Sequence, residues 1–521
     1  MSNTVLAPEK RQAESGSASL VALIVGALVV AAGVGASAIM SQEPGMAGWM
    51  KAWWPFVVLA VSVGVIISLI TVVGVHAFYA LVLAAMAAGL MSRVGGLPKL
   101  NTKADAPPEI HWVQAVELTT VELGKTAGQI GVVIALAAVI GMCLLESGAA
   151  DKVVRYFLRV FGEQRAGLAL LVSTYIVSVP IFFDTIFMLL VPLAKVLHWR
   201  TGKDYLLYVL AICCAGVITH SMVIPHPGPL AMVAELHLDA GMSIWVGLLT
   251  GIVPLMCGWM VCRWINGRMT VVPPEASGES AREMEAVMDK PETELPSLFA
   301  SILPVILPVA LIWIGSVATV FGKGWHPGLQ SAIGFIGNRN TALLIGTVVA
   351  VGILMRQRGW TLKQIGELVG PPFQTAGVII LITSAGGAFG AMLRYAGVGD
   401  AIKSAAAGHE VNLIVLAWVI AIVLRVAQGS ATVAMLTTAA MIYPLMTQGA
   451  KLPYHPVYIF LSIGYGAMGI SWMNDSGFWV VSKLGGMTEK QTLRSWTVLL
   501  FAISAAGLLT TMILAMLLPM A

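Results

Sequence analysis

Apolar runs separated by short charged loops repeat along the chain from Leu20 onward. Runs of membrane-spanning length fall at about 20–40, 55–73, 75–92, 127–147, 205–224, 243–264, 297–320, 341–355, 376–394, 456–473 and 496–518. This spacing predicts an all-α integral membrane protein with about eleven transmembrane helices. Two further runs, 166–198 and 412–448, are long enough for two helices each but are interrupted near their middle. Pro180 and Asp184 break the first, and Arg425 with Gln428-Gly429-Ser430 breaks the second. Each half holds about 16 residues and reaches about 24 Å at about 1.5 Å per residue. Both runs are therefore predicted to be re-entrant hairpins that enter the bilayer and turn back.

The polar interruptions come in pairs. Residues 126–151 share eight identities with residues 375–400 at an offset of 249, and the same offset pairs Tyr205 with Tyr454 and Gly228 with Gly477. It also pairs the run Pro225-His226-Pro227-Gly228-Pro229 with Asn474-Asp475-Ser476-Gly477-Phe478. Membrane helices rich in Gly and Ala resemble one another by composition alone. Three separated anchors in one register point instead to a duplicated chain. Paired helix breaks in paired halves suggest a transporter whose site lies where the two repeats meet.

Hydrophobic residues make up 58% and charged residues 11% of the 521 positions, too little polar surface to cover a soluble globule. The lipid bilayer is thus an expected partner, whereas the net charge of +4, scattered over loops, offers no nucleic-acid surface. Cys143, Cys213, Cys214, Cys257 and Cys262 lie in or beside apolar runs without metal or disulfide spacing, so neither a metal nor a cofactor is expected.

Basic residues set orientation in the membrane. Lys152, Arg155, Arg159 and Arg165 precede the first hairpin and Lys195, Arg200 and Lys203 follow it, placing both its ends in the cytoplasm. Only Lys403 and Lys451 flank the second, placing its ends outside. The repeats are therefore expected to be inverted, in the cytoplasmic (inner) membrane, with the N-terminus inside and the C-terminus outside. The expected order is an N-terminal tail and extra helix over 1–54, a first repeat over 55–265, a cytoplasmic linker over 266–296 and a second repeat over 297–521. Lys10, Arg11 and Ala36-Ser37-Ala38 give the first span features of a signal peptide, but its length favours a retained anchor. Residues 93–125 read as an extracytoplasmic insertion.

Four segments place polar groups where the bilayer midplane should be: 180–184, 219–229, 425–432 and 474–477. A charge at that depth costs at least about 2.5–3.5 kcal/mol, so it faces a wet cavity or a partner. Pro225, Pro227 and Pro229 cannot continue a helix, and unwinding there frees backbone groups that only a hydrated cavity tolerates. Helices restarting after such breaks offer N–H groups and a positive dipole end to a carboxylate. A small anionic cargo follows.

Candidate cargo contacts are Asp184, His220, His226, Gly228, Arg425, Gln428, Gly429, Ser430, Thr432, Asn474 and Ser476, with Thr437 and Thr438 adding hydroxyls suited to a polyhydroxylated molecule. Candidate proton carriers are Asp475, Asp184 and His220, since an imidazole titrates near neutrality and a carboxylate in a helix break is exposed to the cargo path. Each residue has a structural alternative. Asp184 fits a helix cap, either histidine a buried hydrogen bond, and Arg425 an ion pair with an acidic side chain.

At these positions the chain resembles the gluconate permease family. The resemblance rests on Thr219-His220 with Pro225-His226-Pro227-Gly228-Pro229, on Leu424-Arg425 with Gly429-Ser430-Ala431-Thr432-Val433-Ala434, and on Asn474-Asp475-Ser476-Gly477-Phe478-Trp479. Residues 386–390 and Met487 through Thr492 add to it. The resemblance covers most of 55–521 and implies proton-coupled symport of gluconate, of a related hydroxylated acid or of D-serine. It further implies a homodimeric scaffold with a mobile, elevator-type transport domain. The span 20–40 and the stretch 93–125 exceed the expected family pattern, and Asp184 stands where relatives often carry a nearby Glu. Sodium coupling on the same fold is the nearest alternative. An intramembrane enzyme is a remote one, because no His-Glu-x-x-His string or Gly-x-Ser-x-Gly elbow is present.

Overall fold

The structure is a computed structural model, and it describes residues 23–39, 48–100, 109–273, 291–321, 325–398, 400–401, 412–448, 452–473 and 475–520. The tail 1–22, the linker over 274–290, Lys403, Lys451 and the candidate contact Asn474 lie outside the described residues, as does the side chain of Gln428. Among the described residues every regular element is a helix. In chain order these are α1 (Leu23–Ile39), α2 (Gly48–Ser68), α3 (Ala77–Met91), α4 (His111–Glu146), α5 (Ala149–Phe161), α6 (Ala166–Val177), α7 (Phe183–Thr201), α8 (Tyr205–Met222), α9 (Pro227–Glu235) and α10 (Ala240–Asn266). There follow α11 (Leu298–Phe321), α12 (Pro327–Gly337), α13 (Arg339–Arg358), α14 (Leu362–Leu368), α15 (Gly370–Tyr395), α16 (Leu413–Gln428), α17 (Ala431–Gln448), α18 (Val457–Met468), α19 (Ser476–Leu484) and α20 (Glu489–Leu517).

Seven stretches are long and apolar enough to cross a membrane: α4, α8 continued through α9, α10, α11 to Ala318, α13, α15 and α20. Several sequence expectations shift by a turn or more. Helix α4 starts at His111, not near residue 127, so the C-terminal part of the expected insertion 93–125 belongs to a 36-residue helix. Polar residues such as Glu117, Glu122 and Lys125 hid that start from a hydropathy reading. The prolines also behave differently from expectation. Unwinding is confined to 223–226, while Pro227 and Pro229 sit in the first turn of α9, where their missing N–H groups would have had no helical partner. Arg425 likewise lies in the last turn of α16, and the break beyond it is only Gly429-Ser430, with Gly429 in the left-handed region at φ 81°.

Helix ends recur at the offset seen in the sequence. Glu146 and Tyr395, Pro227 and Ser476, Glu235 and Leu484, and Ala240 and Glu489 are each 249 positions apart. The two short helices after the breaks, α9 and α19, both have nine residues.

The chain packs into two compact units. The first holds α1, α2 and α3, α4 up to Ala127, α15 from Leu381 and α17 from Leu436. In it the hydroxyl of Ser37 on α1 donates to Ser92 O at 2.8 Å, and Trp54 Nε1 donates to Met91 O at 2.8 Å, fastening α1 and α2 to the end of α3. Further along, Glu122 accepts from Tyr395 OH at 3.0 Å and pairs with Lys125.

The second unit holds the remaining described helices, with α8 at its centre. Sixteen of the 18 residues of α8 are buried, which fits a sequence apolar on every side. Helices α6, α7, α10 and α18 pack around it. The approaches are close because the crossing points are glycines. A Cβ on Gly247 of α10 would lie 2.3 Å from Met222 O, and one on Gly464 of α18 would lie 2.8 Å from Ser221 O. Lys203 Nζ donates to Gln164 Oε1 at 3.4 Å, so the two flanks of the α6–α7 pair meet.

Candidate functional site

All four polar interruptions described so far fall in the second unit: 178–182 between α6 and α7, 223–226 between α8 and α9, Gly429-Ser430 between α16 and α17, and 469–475 between α18 and α19. Two hydrogen-bonded clusters hold them.

The first cluster joins the α6–α7 turn to the α8–α9 break. Ser178 Oγ donates to Thr174 O at 2.5 Å and lies 2.6 Å from Thr219 Oγ1, one turn before the end of α8. Ser178 O lies 2.9 Å from His226 Nε2. A carbonyl can only accept, so His226 carries its proton on Nε2 and Nδ1 is a bare acceptor. That Nδ1 is buried and has no partner. The His220 ring meets the His226 ring edge-on at 4.9 Å between centroids, and Phe182 covers His226 from the turn at 6.2 Å. His220 Nδ1 and Ser221 Oγ are buried without partners as well.

The second cluster joins the α16–α17 break to the α18–α19 break. Arg425 donates to Asp475 Oδ2 through Nη2 and to Gly429 O through Nη1. Ser471 donates to the same carboxylate oxygen, and Trp496 Nε1 donates to Ser471 Oγ at 2.7 Å. The other oxygen, Asp475 Oδ1, accepts from Gly477 N at 3.1 Å and caps α19. Both charged side chains are buried, so each offsets the other's desolvation. Arg425 Nε alone is left without a partner.

Contacts between the clusters complete the site. Gly228 on α9 faces Met435 on α17, whose Sδ would sit 2.6 Å from an added Cβ. His220 lies within electrostatic reach of Arg425 and Asp475, and Asp184 within reach of Asp475. Phe183 stacks against Trp496 at 5.4 Å between centroids. Helices α7, α9, α17 and α19 all begin here, so four helix N-termini offer positive partial charge to one region.

The candidate residues divide by exposure. Asp184, in the first turn of α7, and Ser476 are exposed, while His220, Ser430 and Thr432 are half-buried. His226, Gly228, Arg425, Gly429 and Asp475 are buried. Thr437 and Thr438 belong to the first unit, where their hydroxyls are buried without partners. Ser430 Oγ is taken up locally, accepting from Val433 N at 3.3 Å. Sequence reasoning did not single out Ser178, Ser471 or Trp496. Ser471 precedes Asp475 by four residues, the spacing of one helical turn, but no helix links them. Trp496 carries no local signal at all.

Comparison with known proteins fits this arrangement. Residues 54–517 match the GntP family permease pattern. The gluconate permease of Pseudomonas aeruginosa is 31% identical over 467 residues, covering 88% of this chain and 97% of that protein. The Gnt-II system L-idonate transporter of Escherichia coli is 29% identical, with 87% and 98% covered. Among solved structures, Neisseria gonorrhoeae MtrF, described as illuminating a class of antimetabolite efflux pumps, superposes with a TM-score of 0.62 at 15% identity, covering 84% of this chain and 94% of that one. The Alcanivorax borkumensis YdaH transporter gives 0.59 at 12% identity, with 85% and 98% covered. At such identities these two speak for the fold alone. The chain therefore belongs to the GntP permease family and is a multi-pass membrane transporter, not an enzyme.

Proposed function

We propose that the chain carries gluconate, or a closely related small hydroxy-carboxylate, across the cytoplasmic membrane together with protons. The observation that carries this reading is the meeting of four helix N-termini at two breaks and two tight turns of the second unit. Such ends bind carboxylates. The Arg425–Asp475 pair is internally neutral, so the helix ends, not a net side-chain charge, attract the anion. The relatives named for gluconate and L-idonate support a polyhydroxylated acid as cargo. Proton coupling is supported by two titratable histidines and an exposed carboxylate, Asp184, at the same place.

The offset of 249 between helix ends, together with the opposite distribution of basic flanks, supports two repeats of opposite orientation, 55–265 and 297–521, joined by a cytoplasmic linker. In this reading the α6–α7 and α16–α17 pairs are opposed re-entrant hairpins, the N-terminus is cytoplasmic, and a homodimer supports an elevator-type movement of the cargo site. Uptake of labelled gluconate into membrane vesicles tests the proposal. Accumulation should collapse when the proton gradient is dissipated at fixed sodium and should be competed by other sugar acids. Accumulation that follows the sodium gradient instead would replace the coupling ion, and absence of any sugar-acid uptake would overturn the cargo.

A further inference from the structure

We propose that His226 holds the co-transported proton on Nδ1 and that His220 passes it there; this rests on the proton-coupled reading above. Three observations carry it. The 2.9 Å contact to Ser178 O fixes the hydrogen on Nε2, which leaves the Nδ1 lone pair as the one open position on the ring. That lone pair is buried and has no partner, so a cargo hydroxyl cannot reach it without a rearrangement, whereas a proton needs only a neighbouring carrier. His220 is that neighbour: its ring lies edge-on at 4.9 Å, and it is half-buried where His226 is enclosed.

The comparison with Asp475 sharpens the assignment. His226 and Asp475 occupy equivalent places, 249 positions apart, each immediately before a nine-residue helix. Asp475 is committed on both oxygens to Arg425, Ser471 and Gly477 N. A proton there would break an ion pair. His226 has its structural bond on one nitrogen and nothing on the other.

The titratable group against His226 is His220 on α8; Arg425 on α16 and Asp475 at the start of α19 lie beyond it, near His220, and Asp184 on α7 lies near Asp475. Arg425 and Asp475 cancel, and Asp184 is exposed, so an imidazolium at His226 has no dedicated counter-charge. A buried cation in that position is costly until an anion arrives. Cargo carboxylate and proton then stabilise one another, and each raises the affinity for the other by the same factor. The step is a single protonation: one proton from the medium joins the Nδ1 lone pair, no covalent bond breaks, and the proton leaves to the opposite side with the cargo.

The test measures proton uptake when purified protein binds D-gluconate in weakly buffered detergent solution. Wild type should take up about one proton per gluconate, with affinity falling about tenfold per pH unit where the free site is unprotonated. His226→Gln retains a donor for Ser178 O but no titratable nitrogen, and the gluconate it still binds should bring no proton. One proton per gluconate in that variant overturns the assignment while leaving symport intact. Should His226→Gln not bind or not fold, 15N-histidine NMR of the wild-type protein decides: saturating gluconate should move the His226 Nδ1 signal from the bare to the protonated imidazole range, and an unchanged His226 signal overturns the assignment. Gluconate binding without proton uptake by wild type would sink the coupling itself, a different result from either.

Discussion

Arg425 on α16 and Asp475 at the cap of α19 are ion-paired with both side chains less than a tenth exposed, tying the α16–α17 break to the α18–α19 break. The pair explains how two charges persist inside an apolar unit: each supplies the other's counter-charge, and Gly429 O, Ser471 and Gly477 N complete the shell.

Removing one partner leaves the other buried and uncompensated. Arg425→Gln or Asp475→Asn should each destabilise the protein by about 3–5 kcal/mol. The double variant should recover a large part of that loss, because no bare charge remains. Thermal unfolding of purified protein in detergent reads this directly. A double variant no more stable than the worse single one would show that the breaks are held by other contacts.

Ser471 connects this pair to Trp496, whose Nε1 donates to Ser471 Oγ in a fully buried position. Ser471→Ala strands that N–H, a loss of about 1–3 kcal/mol. Trp496→Phe removes the stranded donor, so the two substitutions together should cost less than their sum in a double-mutant cycle. Strict additivity would mean the hydroxyl and the indole act independently.

Close helix contact gives a third expectation. An added methyl at Gly247 would meet Met222 O, the last helical residue before the α8–α9 break, at 2.3 Å, and a backbone oxygen cannot swing aside. Gly247→Ala should cost about 1–3 kcal/mol and lower transport by shifting the end of α8. Gly352→Ala on α13 meets nothing within 4 Å and should be neutral or slightly stabilising. Equal melting temperatures for the two variants would contradict this account of the α8–α10 crossing.

Much of this architecture was readable in advance because hydropathy reports what lipid demands. The spans 205–224 and 243–264 match α8 and α10 within a few residues, the break at 429–430 stands where glycine interrupts an apolar run, and Asp475 caps α19. Met487 through Thr492 carried only the family resemblance in the sequence, and the structure supplies its physical reason: Thr488 and Gln491 form a capping box that starts α20. The start of α4 was hidden because its first turns are polar, and a hydropathy window reads such turns as loop. The proline run misled by the opposite route, since a helix accepts proline in its first turn and the sequence alone did not show where that turn began. Pairings such as Ser178 with Thr219 and His226 depend on chain separations of 41 and 48 residues, which no local pattern encodes.

Orientation is the part of the proposed function most directly open to chemistry. Gln164 and Lys203 are hydrogen-bonded and exposed at the two ends of the α6–α7 pair, and the basic residues around them predict a cytoplasmic face. Asn412 and Pro453, exposed near the ends of the α16–α17 pair, carry few basic neighbours and are predicted outside. Single cysteines at these positions, in a background whose five native cysteines are replaced by Ala or Ser, should label with a membrane-impermeant maleimide in complementary patterns. Positions 412 and 453 should react in right-side-out vesicles, and 164 and 203 only in inverted ones. Should all four label from the same side, the two pairs would enter the membrane from one face, the offset of 249 would relate parallel copies, and the helix N-termini of the two pairs would have to reach the cargo from a single direction.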